Sequence, residues 1–226
     1  MSVLWEKIET FASTQAEQPA VVGIDKTYSW LELYKLTIEV AQQLQATPYK
    51  VVAFYADNSP DWVIVDLACR MADVTLLPLP AFFSDQQLRH AIKQAGVTAI
   101  LHNNGDRLSK LLALNDEQAI TLSSLGFALN AIEQPVASLP ATTAKITFTS
   151  GSTGHPKGVC LSNEQQLVVA KSLLDATELA APRHLSILPF STLLENIGGI
   201  YAPLLGGGTV IALRASSLGF YGSNGF

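Results

Sequence analysis

With 226 residues, 48% of them hydrophobic, 15% charged, and a mean hydropathy of +0.26, the chain can bury a substantial core as one large domain or two small ones. A net charge of −5, an isoelectric point near 5.3 and the lack of any block of like charges argue against a nucleic-acid partner. Cys69 and Cys160 sit in apolar segments without metal-like spacing, and residues 1–10 carry Glu6, Lys7 and Glu9 instead of a signal-peptide core, so buried thiols and a cytoplasmic location are expected.

Leu4, Ile8, Phe11 and Ala12 recur at helical spacing and predict a short amphipathic helix. Residues 20–24 and 27–28, joined by Asp25 and Lys26, predict a β-hairpin. Ser29 with Glu32 is a capping box, opening a helix to about Leu44 with Leu33, Leu36, Val40 and Leu44 inward. The run 50–55 reads as a strand apolar on both faces, as in a parallel sheet. Ser59 and Pro60 start a helix with Val63, Leu67, Ala68 and Met71 inward. Residues 74–77 form the next strand, and Pro78 and Pro80 end it. Ser84 with Gln87 caps a further helix that buries Leu88, Ala91, Ile92 and Ala95 and ends at Gly96. Residues 97–101 complete strand–helix–strand–helix–strand, the pattern of an α/β, doubly wound, mostly parallel sheet flanked by helices. Arg70, His90 and Lys93 read as solvated helix residues, and His102 and Asp106 as loop residues. Beyond them a helix around 108–114, a strand near 119–122, an apolar stretch broken by Ser and Gly up to Ile132, and a connector at 133–140 are expected.

The densest chemistry lies in 146–160. A β-branched run, Ile146 to Thr149, breaks into Ser150, Gly151, Ser152, Thr153, Gly154, His155, Pro156, Lys157 and Gly158 before a second apolar run. The glycines let backbone approach a ligand closely. The hydroxyls and successive N–H groups can cradle an anion, and Lys157 adds a positive charge. A phosphate loop of the G-x-x-x-x-G-K-[ST] type, started at Gly151, needs glycine at 156 and serine or threonine at 158; Pro156 and Gly158 break it.

Ser162 with Gln165 caps the next helix, with Leu167, Val168, Ser172 and Leu173 on one face. Residues 184–188 read as a short strand. The uncharged stretch 196–213 is close to membrane-spanning length, but Pro203 and Gly206–Gly208 interrupt it, so helix, glycine turn and strand are expected and no transmembrane span.

Residues 149–158 resemble the [ST]-S-G-[ST]-T-G-x-P-K-G signature of the adenylate-forming (AMP-binding) superfamily. Ala68, Ala72, Pro78 and Leu79 are similar to its A-x-x-x-A-G-x-x-x-x-P-L stretch, with Asp73 where glycine is usual. Residues 188–207 are similar to its L-P-[LF]-[SAF]-H-x-x-[EG] region, in the acyl-CoA synthetase and fatty acyl-AMP ligase style, with Thr192 where histidine is common. The resemblance implies that Lys157 is catalytic and that Thr149, Ser150, Gly151, Ser152, Thr153, Gly154 and Lys157 bind nucleotide phosphates. It implies that Phe190, Ser191 and Thr192 border an acyl pocket. It also implies ATP and Mg2+ as cofactors, although the metal-binding motif is not found in this chain. The implied partners are a small-molecule carboxylate and the thiol of CoA or an acyl carrier protein. The implied reaction is activation of a fatty or other acyl acid to an acyl-adenylate, then thiol transfer. Residues 1–49 are read as N-terminal helices and hairpin, 50–140 as a first α/β unit, and 141–226 as the phosphate loop and start of the acyl region. The resemblance is expected to cover only the front of the usual catalytic unit, without the C-terminal domain. The 226-residue chain alone is therefore expected to be inactive; the alternative is a fragment or scaffold needing a second chain, with a partner over the apolar C-terminal third.

Overall fold

The computed structural model describes residues 3–103, 106–122, 124–135, 137–149, 156–214 and 218. Helix α1 (Val3–Thr14) buries Leu4, Ile8 and Ala12, and β1 (Pro19–Val22) pairs with β2 (Thr27–Ser29) as an antiparallel hairpin. At the start of α2 (Trp30–Gln45), the Ser29 side chain accepts from the Glu32 N–H while the Glu32 carboxylate accepts from the Ser29 N–H, so two otherwise orphaned donors are satisfied. Then come β3 (Val51–Tyr55), α3 (Pro60–Met71), β4 (Thr75–Pro78), α4 (Asp85–Ala95) and β5 (Ala99–His102). Ser59 caps α3 with Pro60 in its first turn, and the Ser84–Gln87 box opens α4. Gly96 ends α4 at φ 61°, and a Cβ there would lie 2.2 Å from the Ala137 nitrogen, so conformation and space both demand glycine.

Helix α5 (Arg107–Leu112) and β6 (Ile120–Leu122) fall where expected. The broken stretch after them contains a full strand, β7 (Phe127–Ala131), antiparallel to both β5 and β6, because Phe127, Leu129 and their neighbours are buried against the sheet. A hairpin of β8 (Lys145–Thr149) and β9 (Lys157–Leu161) follows, then α6 (Asn163–Thr177), opened by the Ser162–Gln165 box, and β10 (Arg183–Ser186). The uncharged stretch is α7 (Leu193–Glu195), a π-helical turn (Asn196–Tyr201), α8 (Ala202–Leu205) and, after the glycines, β11 (Thr209–Ala212). Among the described residues no helix is long and apolar enough to cross a membrane.

Two sheets result. The larger has the order β6-β7-β5-β3-β4-β8-β9, with β5, β3, β4 and β8 parallel and antiparallel strands at both ends. The smaller has the order β10-β11-β1-β2, with the first three parallel. On β3, Val52 and Phe54 join a core shared with α1, α2, α3 and the smaller sheet, while Val51 and Ala53 join a second core with α4 and Leu108. The larger sheet is thus covered on both faces, and the expected doubly wound α/β architecture is present.

Several expectations are corrected. Helix α3 lies in the core between the sheets and buries nearly every side chain from Pro60 to Cys69, where a single inward stripe was predicted. Helix α6 is turned by one residue, about 100°, from the predicted face. Gln166 and Ala170 are buried while Val168 and Leu173 are exposed, because Arg70 of α3 donates to the Asn163 carbonyl and to Gln166 Oε1 and holds that side down. Arg70 is therefore no solvated residue, and its guanidinium also lies 4.6 Å from the Tyr201 ring centre. His102 is a fully buried strand residue, with Nε2 2.9 Å from Asn130 Oδ1 and Nδ1 2.8 Å from the Asn103 carbonyl. Cys69 is buried, and desolvation pushes its thiol pKa well above the ordinary value; Cys160 is only half-buried.

Candidate functional site

The β8–β9 hairpin carries the first part of the site. Its last pair is Thr149 opposite Lys157, both exposed, so a hydroxyl and a cationic side chain stand side by side at the mouth of the connecting loop. Ser150, Gly151, Ser152, Thr153, Gly154 and His155 lie outside the described residues. Below the mouth, His90 of α4 has Nε2 3.2 Å from the Pro156 carbonyl oxygen, and its ring meets the Phe148 ring edge-on at 6.4 Å. His90 was read as a solvated helix residue; it is half-buried and props the loop's closing end on α4.

The second part is 188–192. Asn58, buried in the β3–α3 turn, donates through Nδ2 to the Leu188 carbonyl at 2.8 Å and accepts the Phe190 N–H at 2.7 Å. One side chain thereby fixes the turn from both ends. The Phe190 side chain has no exposed surface and packs 5.3 Å from the Trp62 ring, so it anchors the segment in the core. Ser191 is buried, and the Thr192 N–H and hydroxyl both donate to the Pro189 carbonyl. The structure thus keeps Phe190, Ser191 and Thr192 together in one rigid turn.

Beside that turn runs a groove of about 470 Å³, walled by Leu173, Leu174, Leu185 and Leu194 and floored by Glu195 and Gly199. Glu195 is 5% exposed and accepts from His184 Nε2 at 2.9 Å, so the groove is mostly apolar, with this polar pair at its base and Thr177 and Arg183 also on its lining. A Cβ on residue 199 would come within 2.5 Å of Glu195 Oε1 and 3.0 Å of His184 Nε2. Glycine there gives the pair its room.

Between the two parts lies a buried polar cluster that sequence reading missed. Lys145, at the start of β8, donates to Asp66 of α3, to Asn196 Oδ1 and, at 2.7 Å, to the Tyr201 hydroxyl, which in turn donates to Asp66 Oδ2. All four side chains are buried, and desolvation with the neighbouring Asp66 charge pushes the Tyr201 phenol pKa up. One signal could have found it. A lysine inside the apolar strand run 145–149 and an aspartate inside the apolar helix 60–71 have to find each other, because an unpaired buried charge is too costly. Among the described residues, no three His, Cys, Asp or Glu side chains gather as a metal site.

The family profile described as AMP-binding enzyme matches residues 8–220. Long-chain-fatty-acid–CoA ligase 1 of Cavia porcellus is 23% identical over 216 residues, covering 76% of this chain and 31% of that protein. A nonribosomal peptide synthetase of Clonostachys rogersoniana is 30% identical over 217 residues, covering 92% of this chain and 11% of that protein. The fold is similar to that of a fatty acyl-adenylate ligase from L. pneumophila, solved with acyl adenylate and pyrophosphate. The TM-score is 0.75 at 21% identity, covering 95% of this chain and 40% of that one. The chain spans about a third or less of the length of these curated relatives.

Proposed function

The chain belongs to the AMP-binding enzyme family, and from that premise we propose that it forms the phosphate-gripping and acyl-facing part of an AMP-forming acid–thiol ligase. In the proposed reaction a carboxylate oxygen attacks the α-phosphorus of ATP, the bond to pyrophosphate breaks, and an acyl-adenylate remains. The thiol of CoA or of a carrier protein then displaces AMP. Both reactants are anions, so positioning and neutralisation of charge carry much of the barrier reduction.

One observation carries the reading: Thr149 and Lys157 are paired at the open end of a Gly/Ser/Thr-rich loop and are both exposed. An exposed ammonium beside a hydroxyl suits the β- and γ-phosphates and the departing pyrophosphate. In this proposal Ser150, Gly151, Ser152, Thr153 and Gly154 complete the cradle with N–H and O–H donors. Phe190, Ser191 and Thr192 border the acyl site, Phe190 by anchoring the turn in the core. The groove floored by Glu195 and Gly199 takes the acyl chain, since leucines make up much of its lining. A divalent cation such as Mg2+ would neutralise phosphate charge; among the described residues no three His, Cys, Asp or Glu side chains gather to hold one by themselves, and no step is routed through it.

The test is pyrophosphate–ATP exchange in the longest natural polypeptide containing these residues. Lys157→Ala removes one charge-assisted contact of about 1.5–3 kcal/mol and is expected to slow exchange about tenfold to a hundredfold. Unchanged exchange would sink the assignment of Lys157.

A second reading is favoured by Leu179, Leu185, Ile187 and Leu194, which stay exposed around β10, an outermost strand of the smaller sheet. In it the 226 residues are a scaffold that needs a further α/β unit, on the same or another polypeptide, before any chemistry occurs. Calorimetry with Mg·ATP and size-exclusion chromatography separate the two readings. A chain that binds nucleotide as a monomer favours the first.

A further inference from the structure

The buried cluster around Lys145 coincides with an unusual stretch of backbone. Residues 196–201 form a π-helical turn, in which the Ala202 N–H bonds to the Ile197 carbonyl five residues back. Such turns are rare inside α-helices and often lie near functional sites. In an α-helix, residues five apart point about 140° away from each other. Here Asn196 and Tyr201, five apart, both reach the same ammonium: Lys145 Nζ donates to Asn196 Oδ1 and to the Tyr201 hydroxyl. Asp66 accepts from the lysine and from the tyrosine, and Arg70 packs over the Tyr201 ring. The widened turn is what lets both side chains converge on one buried ion pair.

The same turn lines the groove at its floor. Gly198 and Gly199 belong to it, Leu194 and Glu195 immediately precede it, and Ala202 and Pro203 follow it. Slipping the hydrogen bonds from five back to four back would rotate everything after the slip relative to everything before. Leu194 and Glu195 would then no longer stand in their present relation to Ala202 and Pro203. Lys145 also begins the strand whose other end meets the candidate phosphate loop, so the cluster ties both halves of the site to α3.

We propose that the buried Lys145–Asp66 pair holds Asn196 and Tyr201 on one face, locks residues 196–201 in the π register, and thereby sets the length and shape of acyl chain the adjoining groove accepts. This rests on the reading of the groove as an acyl site. Lys145, Asp66, Asn196 and Tyr201 are positioning residues that act through the helix they hold.

The test compares three forms of the full protein: unsubstituted, Asp66→Leu with Lys145→Met, and Tyr201→Phe. The double substitution removes both buried charges together. Tyr201→Phe keeps the ring and its volume and removes only the hydroxyl, so it provides a second, milder variant. Crystal structures give the register of 196–201, and calorimetry with straight-chain carboxylic acids from butyrate to palmitate gives the chain-length preference. The expected result is that the Ala202 N–H moves to the Gly198 carbonyl and that the long-to-short affinity ratio changes by about tenfold or more, the size one methylene commands in an apolar pocket. Retention of the π turn in both variants overturns the lock. A changed register with an unchanged preference overturns its role in specificity. If the unsubstituted protein binds none of the acids, the acyl reading fails by itself, and the crystallographic comparison still decides the lock.

Discussion

Lys145 and Lys157 stand at opposite ends of one hairpin, the first at the start of β8 opposite Leu161, the second at the start of β9 opposite Thr149. Lys145 is buried, and its ammonium is committed to an aspartate, an amide and a phenol. Lys157 is exposed beside a loop rich in hydroxyls. The contrast separates two uses of one residue type. A buried charge must be fully partnered before the fold is viable, so it has nothing to offer a ligand. An exposed one stays hydrated at little cost and can exchange water for phosphate. The same division runs through 188–203, where Phe190 is sealed against Trp62 while Leu194, four residues on, is 66% exposed in the groove wall.

The largest effect should come from breaking the buried end alone. Lys145→Met leaves the buried Asp66 without its cation, and urea denaturation should show a loss of about 3–5 kcal/mol. The double variant with Asp66→Leu should recover most of it, and failure to recover would mean that the ion pair is not what the single substitution removed.

Asp106 sharpens the comparison at a half-buried charge. It caps α5 by accepting the Ser109 N–H, its Oδ2 is buried without a hydrogen bond, and desolvation raises its pKa, partly offset by that N–H and by His102. A carboxyl whose folded-state pKa lies above its unfolded value adds stability that is fully present below the unfolded pKa and lost as pH rises through the folded one. Asparagine caps equally well and does not titrate. Asp106→Asn should therefore gain on the unsubstituted protein as pH climbs from the acid range to neutrality, read from urea midpoints across that range. A constant gap would contradict the desolvation.

A smaller effect is expected at Asp73, which ends α3 in the left-handed region at φ 56°, with the Val74 N–H closing back onto the Cys69 carbonyl. Left-handed backbone costs a side-chain-bearing residue about 1–2 kcal/mol, while glycine gives back about 0.5–1 kcal/mol in chain entropy. Asp73→Gly should thus raise stability by up to about 1 kcal/mol, seen as a higher melting midpoint. Smallest of all, Lys157→Ala should leave the midpoint within about 0.5 kcal/mol, whatever it does to nucleotide. A large loss there would erase the contrast between the two lysines.

The parts that were legible are local. Ser29–Glu32, Ser84–Gln87 and Ser162–Gln165 each satisfy their helix from within four residues, and all three form as read. Asp73 stands where the resembled pattern has glycine, and its φ of 56° is the physical reason glycine suits that position. The strand β7 was missed because its apolar pattern is diluted by Asn130 and alanines, and its pairing partner β5 lies some thirty residues earlier. The face of α6 was misjudged by one residue because Arg70, almost a hundred residues upstream, decides it.

By itself the sequence determined the alternation of strands and helices, the caps that start them, the doubly wound α/β class, and a loop whose composition suits phosphate. Each follows from periodicity or from hydrogen bonds closed within a few residues. Only the tertiary structure decided that Phe190 is an anchor, that His90 props the loop, and that Lys145, Asp66, Asn196 and Tyr201 meet in one buried cluster. Those contacts join residues as much as 135 apart along the chain. Nothing in the local pattern says which distant charge a buried lysine will find; the stacking of the two sheets around α3 does.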